Sequence, residues 1–401
     1  MKPELRFPEF DGEWEEKQLN NIVDSLKGNS NDNEELPVLT ISAKKGWLNQ
    51  KERFSQVIAG NSLSKYNELK KGDLSYNKGN SKVALYGIVY KLNYDRALVP
   101  NVYKSFRPKS NYESDFIEKY FHTKILDKQL RKVITSTARM DGLLNISDND
   151  FYSMLINIPT KKEQQKIGEF FSKLDQQIEL EEQKLAKLEE QKKGYMQKIF
   201  SKELRFKDEN GNNYPEWEEK KLKELIDVRD GTHESPKPSK EGYLLVTSKN
   251  LKNSKLNLSE SYFISKEDYE SINQRSKVEI GDILFGMIGT IGNPILLEEC
   301  DFAIKNVALL KTNDLLEKYY ILNFLKSSNI SKQFYRMNAG GTQKFIALST
   351  IRDLNIDMPS SEEAIKIGNF FNKVDNLIEN QLNKVELLKQ RKQSFLQKMF
   401  V

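Results

Sequence analysis

The chain of 401 residues carries 63 Lys+Arg against 58 Asp+Glu, a formal net charge of +5, with 38% hydrophobic and 30% charged residues. That length suggests two or three domains, and 21 Phe with 17 Tyr can build cores, so disorder throughout is not expected. One Cys (Cys300) and two His (His122, His233) rule out a structural disulfide, all but rule out a His/Cys zinc site, and would have to serve any Cys/His dyad or Ser/His/Asp triad.

In chain order, the start Met1-Lys-Pro-Glu-Leu-Arg has no apolar core, and no run of about 18 apolar residues follows, so a soluble cytoplasmic protein is expected. Residues 1–160 read as a first globular domain. Val83 to Tyr90 is its strand candidate, Ser114 to Ile134 its helix, and Ile156-Asn-Ile-Pro159 a last strand stopped by Pro. Residues 161–200 read as one long helix, because Ile167, Phe171, Leu174, Ile178, Leu185, Leu188, Tyr195 and Ile199 follow 4-3-4 spacing between charges. A second globular domain spans 201–360, with strands at Tyr243 to Thr247 and Ile283 to Ile288, a helix at Leu315 to Met337 and an exit at Ile356-Asp-Met-Pro359. A second long helix fills 361–401, with Ile367, Phe371, Val374, Ile378, Val385, Leu388, Phe395 and Met399 on its stripe. The expected fold class is α+β: two tandem globular domains separated by two long helices.

This plan is an internal repeat. Lys166-Ile-Gly-Glu-Phe-Phe-Ser-Lys-Leu-Asp returns as Lys366-Ile-Gly-Asn-Phe-Phe-Asn-Lys-Val-Asp, Gln197-Lys-Ile-Phe returns as Gln397-Lys-Met-Phe, and 16 of 40 positions in 161–200 recur 200 residues later. The globular regions also begin alike, with Glu4-Leu-Arg-Phe and Trp14-Glu-Glu-Lys against Glu203-Leu-Arg-Phe and Trp217-Glu-Glu-Lys. A period of 200 is far above that of solenoids, so each copy needs its own core.

A single apolar stripe on a helix of about 36 residues, roughly 54 Å, needs a partner helix. Antiparallel pairing within the chain, with a pseudo-twofold relation between copies, is expected; a zipper between chains is the alternative. Glu181 and Lys192, with Gln381 and Lys392, interrupt the seam and help fix its register. Glu181 could face Lys392, and a register shifted by one heptad is equally open.

Catalytic motifs are scarce. There is no Gly-x-x-x-x-Gly-Lys-Ser/Thr phosphate loop, and Gly286-Met-Ile-Gly-Thr-Ile-Gly292 lacks dinucleotide-fold spacing and reads as a tight turn where backbone passes close to something, a phosphate being one alternative. No two of the 11 prolines are adjacent, which removes the Asn/Asp-Pro-Pro-aromatic loop of amino-methylating enzymes. No acidic metal cluster stands out, although a magnesium nuclease stays open. Between Lys51 and Arg139, 18 basic residues face 8 acidic ones, and Tyr and Asn lie among them, as in Tyr76-Asn-Lys-Gly-Asn-Ser-Lys82. Such a region suits phosphate neutralisation beside base-edge contacts, or is simply a solvated face. The second globular region offers polar loops instead: Asp230-Gly-Thr-His-Glu-Ser-Pro236, Thr247-Ser-Lys-Asn250 and Gly340-Gly-Thr-Gln-Lys344. His233 reads as a loop hydrogen-bonding residue and His122 as a packed one.

Two divergent globular units, each followed by a helix bearing Lys-Ile-Gly-x-Phe-Phe-x-Lys-Leu/Val-Asp and ending Gln-Lys-Ile/Met-Phe, resemble the specificity subunit of bacterial Type I restriction-modification systems over essentially the whole chain. The resemblance implies that each globular domain reads one half of a bipartite double-stranded DNA target and that the helices set the spacer. It implies two methyltransferase (modification) subunits docking near the helices, restriction subunits joining them, and no catalysis or bound cofactor in this chain. S-adenosylmethionine, ATP and magnesium would then belong to partner subunits. The DNA-contacting residues it points to are Ser42, Lys44, Tyr76, Asn77, Lys78, Lys82 and Arg139 in the first domain, and Thr232, His233, Lys249, Asn250, Thr342, Gln343 and Lys344 in the second.

Overall fold

The computed structural model describes residues 1–29, 36–54, 60–79, 81–134, 143–252, 254–289, 291–312, 314–337 and 345–400. Contacts divide the chain into two compact units, one of 1–182 with 383–401 and one of 183–382. The division cuts both long helices, Lys161–Phe200 and Ser361–Phe400, so each unit holds one globular part, the first stretch of one helix and the last stretch of the other.

In the first unit, Glu15–Gln18 pairs antiparallel with Leu155–Ile158. A four-stranded antiparallel sheet follows in the spatial order Val23–Leu26, Lys104–Pro108, Leu74–Asn77, Ile88–Lys91. Two smaller pairs, Leu39–Ser42 with Gly46–Asn49 and Asn67–Lys70 with Arg96–Val99, pack a separate apolar cluster around Leu39, Ile41, Leu69 and Val99. The main core joins Trp14, Tyr76, Phe106, Phe116, Tyr120 and Phe151. The run from Val83 to Tyr90 is strand only from Ile88. Ser81 and Ala84 exchange backbone hydrogen bonds in a turn and Gly87 takes φ +81°, which leaves Val83 and Leu85 exposed. The expected single helix from Ser114 is two, Ser114–His122 and Asp127–Val133, because the Thr123 hydroxyl donates to the Tyr120 carbonyl at 2.7 Å and ends the first.

The second unit repeats this frame. Glu218–Lys221 pairs with Asn355–Met358, and a four-stranded sheet runs Val228–Asp230, Val307–Leu310, Ile283–Gly286, Gly292–Leu296. The strand from Ile283 stops at Gly286, where a bulge shifts its register. A three-stranded sheet is added, with Tyr243–Thr247 between Tyr262–Ile264 and a parallel Phe302–Lys305. The helices Lys318–Leu325 and Ser328–Met337 again replace one expected helix.

Contacts explain the repeated motifs. Glu163, fully buried on the first long helix, accepts from Arg6 Nε and Nη2 at 2.7 Å each and from Trp14 Nε1 at 3.3 Å. Glu363 accepts from Arg205 Nη2 at 2.8 Å and Trp217 Nε1 at 2.9 Å. These pairs satisfy a buried carboxylate that would otherwise be costly. The repeated glycines permit close helix packing: a Cβ on Gly168 would lie 2.8 Å from the Asp115 Cβ, and one on Gly368 would lie 2.8 Å from the Tyr320 nitrogen. The final Phe of each helix is a core residue. Phe400 meets Trp14, Phe116, Tyr120 and Phe171 in the first unit, while Phe200 meets Tyr320, Phe324 and Phe371 in the second.

Within each unit the long helices run antiparallel. Phe170 meets Phe395, Asp175 pairs with Lys392 at 2.5 Å, Glu181 with Lys384 at 3.0 Å and Glu182 with Lys389 at 2.5 Å in the first. Tyr195 meets Phe370 and Lys192 pairs with Asp375 at 2.5 Å in the second. Glu181 does not face Lys392: the observed register is the one displaced by about a heptad. Of the stripe residues, Ile167, Phe171, Ile367 and Phe371 enter the globular cores, Ile178, Val385 and Leu388 are buried, and Leu174, Leu185, Leu188, Val374 and Ile378 are half-buried.

Candidate nucleic-acid interface

In the first unit several sequence candidates converge at one end of the sheet. The turn between Leu39–Ser42 and Gly46–Asn49 is closed by the Lys45 N–H donating to Ser42 Oγ at 3.3 Å, and it leaves Lys44 exposed. The Tyr90 hydroxyl donates to the Ala43 carbonyl at 3.1 Å, which anchors the turn on the sheet. Asn77 reaches the same hairpin, its Nδ2 donating to the Ile41 carbonyl at 3.0 Å while its Oδ1 accepts from Gly79 N. That side chain is committed to holding two loops together.

Past Asn77 the chain turns at residues 81–87, where Lys82 is exposed. Leu143 bridges Gly79, and Leu144 N donates to the Lys78 carbonyl at 2.8 Å, so the chain following 135–142 is pinned to this turn. Arg139 lies in 135–142, outside the described residues. Tyr76 is corrected to a core residue: it is 1% exposed, its hydroxyl donates to the Tyr86 carbonyl at 2.5 Å, and its ring packs on Phe151.

The second unit builds the same junction with other side chains. Ile288 bridges Phe345, and Ile346 N donates to the Met287 carbonyl at 2.8 Å, pinning the chain after 338–344 to the turn after Gly286. Thr342, Gln343 and Lys344 lie in 338–344, outside the described residues. Ser248, within the 247–250 loop, accepts from Met287 N and Ile288 N at 3.1 and 3.3 Å and donates to the Asn306 carbonyl. Beside it Lys249 is exposed. Asn250 is corrected to a structural residue at 2% exposure: its Oδ1 accepts from Thr247 N at 2.8 Å and its Nδ2 donates to the Asn257 carbonyl at 2.8 Å.

The 230–236 loop is braced from inside. Asp230, 7% exposed, holds Arg275 and, at 2.9 Å, His233 Nε2; His233 Nδ1 meets Asn306 Oδ1 at 2.7 Å, and Thr232 Oγ1 accepts from Glu234 N. His233 keeps an exposed edge with both ring nitrogens engaged. Thr232, Glu234, Asp268 and Arg275 line a hollow of about 190 Å³.

The larger cleft, about 390 Å³, belongs to the first unit and is lined by Lys27, Lys65, Lys78, Lys104, Asn101 and Asp148 among others. Asp148 takes Lys27 at 2.8 Å on one oxygen and Lys104 at 2.5 Å on the other. The hydrogen bonds from Lys104 and then Lys27 hold its carboxyl down at about 2. Sequence reasoning placed Lys65, Lys78 and Lys104 in a basic region suited to phosphate but missed Lys27 and Asp148, because these come from stretches, 1–50 and 140–160, that are acidic on balance. Among the described residues no group of three or more His, Cys, Asp or Glu is placed to hold a metal ion, and no helix is long and apolar enough to cross a membrane.

Comparison with known proteins agrees with the duplicated frame. The family model described as Type I restriction modification DNA specificity domain matches residues 11–190 and again 214–387. The chain is 30% identical over 213 residues to the MjaX type I restriction enzyme specificity subunit of Methanocaldococcus jannaschii, covering 50% of this chain and 49% of that one. It is 22% identical over 282 residues to the MjaVIII specificity subunit of the same organism, covering 66% and 65%. The matches thus span about half to two thirds of those relatives. Among solved structures, the S subunit of a Type-I restriction-modification system from M. genitalium superposes with a TM-score of 0.65 at 15% identity, covering 100% of this chain and 99% of that one. A chain from a structure of type I R-M complex assembly gives 0.56 at 16% identity, covering 97% and 98%.

Proposed function

Because the chain belongs to the family of Type I restriction modification DNA specificity domains, we propose that it is the non-catalytic DNA-recognition subunit of a restriction-modification complex, each globular domain reading one half of a bipartite duplex target. The observation that carries this reading is a shared frame with divergent contents. Both units pin the chain that follows 135–142 or 338–344 to the turn of a sheet hairpin by equivalent backbone contacts, yet the side chains around that junction differ throughout. A duplicated scaffold presenting different polar groups suits two unlike half-sites.

In this reading residues 1–160 and 201–360 are the recognition domains, and 161–200 and 361–401 are helices that set the spacer and dock two methyltransferase subunits. Restriction subunits join that assembly. S-adenosylmethionine, ATP and magnesium serve the partners. Ser42, Lys44, Lys78, Lys82 and Arg139 face one half-site, and Thr232, His233, Lys249, Thr342, Gln343 and Lys344 the other; Tyr76, Asn77 and Asn250 support them from behind.

The test is the genome-wide methylation pattern of the host with and without this chain. Loss of one bipartite methylated motif is expected. A pattern unchanged in a host whose methyltransferase subunits are shown to be expressed would overturn the reading.

A further inference from the structure

The proposed function leaves open what the large cleft of the first unit does. We propose that it seats one backbone phosphate of bound DNA between Lys27, Lys65, Lys78 and Lys104, and that Asp148 is an internal counter-ion which the phosphate partly displaces. This rests on the DNA-recognition reading and adds a specific site to it.

The cleft combines features of a phosphate seat. Among the residues lining its roughly 390 Å³ are four lysines and a single carboxylate, Asp148. Lys104 is the fixed member: its side chain is 8% exposed and its ammonium stands 5.8 Å from the centre of the Phe151 ring. Lys27 is by comparison open to solvent, 74% exposed. Asp148 occupies the position of an anion, one oxygen on each of these lysines and itself 49% exposed. A phosphate oxygen can take over such charge-assisted hydrogen bonds with little rearrangement. Lys78 ties the cleft to the proposed recognition end, because its carbonyl accepts from the Leu144 N–H.

The second unit shows that this arrangement is not a by-product of the fold. Asp73 holds Arg107 and Asp282 holds Lys311 at matching places in the two sheets, which fixes the strand correspondence. By the same registers Lys27, Lys78, Lys104 and Asp148 correspond to Asp230, Met287, Ala308 and Leu348. All three of these lysines and the carboxylate are absent together, as members of one working group would be.

The experiment measures binding of the full chain, co-purified with its methyltransferase subunits, to short duplexes sheared from host DNA across a range of KCl concentrations. Lys27→Gln with Lys65→Gln should lower the slope of log affinity against log salt by about 0.9, one phosphate contact. Asp148→Asn should tighten binding several-fold and steepen the slope, because Lys27 and Lys104 are released. A slope identical to wild type in the lysine variant, or weaker binding in Asp148→Asn with an unchanged thermal midpoint, would overturn the proposal. Failure of the wild-type complex to bind any duplex would instead overturn the DNA-recognition reading itself.

A second arm adds inorganic phosphate or a mononucleotide. If either raises the thermal midpoint of wild type but not of the lysine variant, while DNA binding is equal in both, the cleft is a small-anion site and the DNA proposal fails. Both substituted lysines lie at the surface, so the variant is expected to fold, and its midpoint without ligand checks this.

Discussion

Beneath its long helix the first unit buries a charge network where the second holds an amide and a half-buried amine. The helices Ser114–His122 and Lys318–Leu325 pass under Gly168 and Gly368 at Phe116 and Tyr320, so Lys119 and His122 correspond to Asn323 and Lys326. Lys119 sits 2.6 Å from Glu118 and 2.9 Å from Asp175, which also takes Lys392. Burial pulls the Lys119 amine down, but Glu118 and Asp175 outweigh it and raise it overall. In the second unit Asn323 donates to the Tyr319 carbonyl at 2.8 Å, and its Oδ1 is buried with no partner among the described residues. Burial, and then Lys192, pushes Lys326 down to about 8. Backbone packing held the frame constant while buried charge was balanced in one copy and left strained in the other.

Three expectations test that contrast. The largest concerns the shared frame: Glu163→Gln and Glu363→Gln should each cost about 3 kcal/mol, since each leaves an arginine without its buried carboxylate. Urea unfolding measures both, and a cost confined to one unit would show that the clamp is not shared.

The next effect runs the other way. Lys326→Met should stabilise the protein by about 1 kcal/mol or more at pH 7, because it removes a half-buried amine held below its ordinary value. The folded amine releases its proton at about 8 while the unfolded one keeps it up to 10.5, so wild-type stability should rise with pH across that interval and the variant should lose this rise. A destabilised Lys326→Met would mean that the amine has a favourable role.

The smallest effect at neutral pH belongs to His122. Burial, opposed by Glu118, lowers it to about 4, and the ring meets the Val89 carbonyl at 2.7 Å through Nε2. The unfolded imidazole takes a proton near 6.5 and the folded one does not, so stability should fall as pH drops from 6.5 to 4. His122→Gln should flatten that decline in a pH series of urea midpoints; an unchanged decline would assign it to carboxylates.

The repeated motifs were legible because each answers a local, strict demand. Gly168 and Gly368 are set by backbone clearance, Trp14 and Trp217 by one buried carboxylate each, and Phe200 and Phe400 by an apolar socket. Such constraints admit few residue types and therefore show in the chain as identity. The site was less legible. Tyr76, Asn77 and Asn250 have the chemistry of base contacts, but burial and internal hydrogen bonds, which residue type does not reveal, commit them to the scaffold.

From the amino-acid order alone follow the duplication, the two long amphipathic helices and the α+β class, because periodicity and repetition are properties of neighbouring residues. Tertiary structure alone decided the helix register and the lysine cleft. Glu181 and Lys192, with Gln381 and Lys392, are compatible with either of two registers, and packing selects the one that pairs Asp175 with Lys392 and Glu181 with Lys384. Lys27, Lys65, Lys78, Lys104 and Asp148 are scattered over more than a hundred positions, and only the crossing of separate strands and turns brings them together as the lining of one cleft.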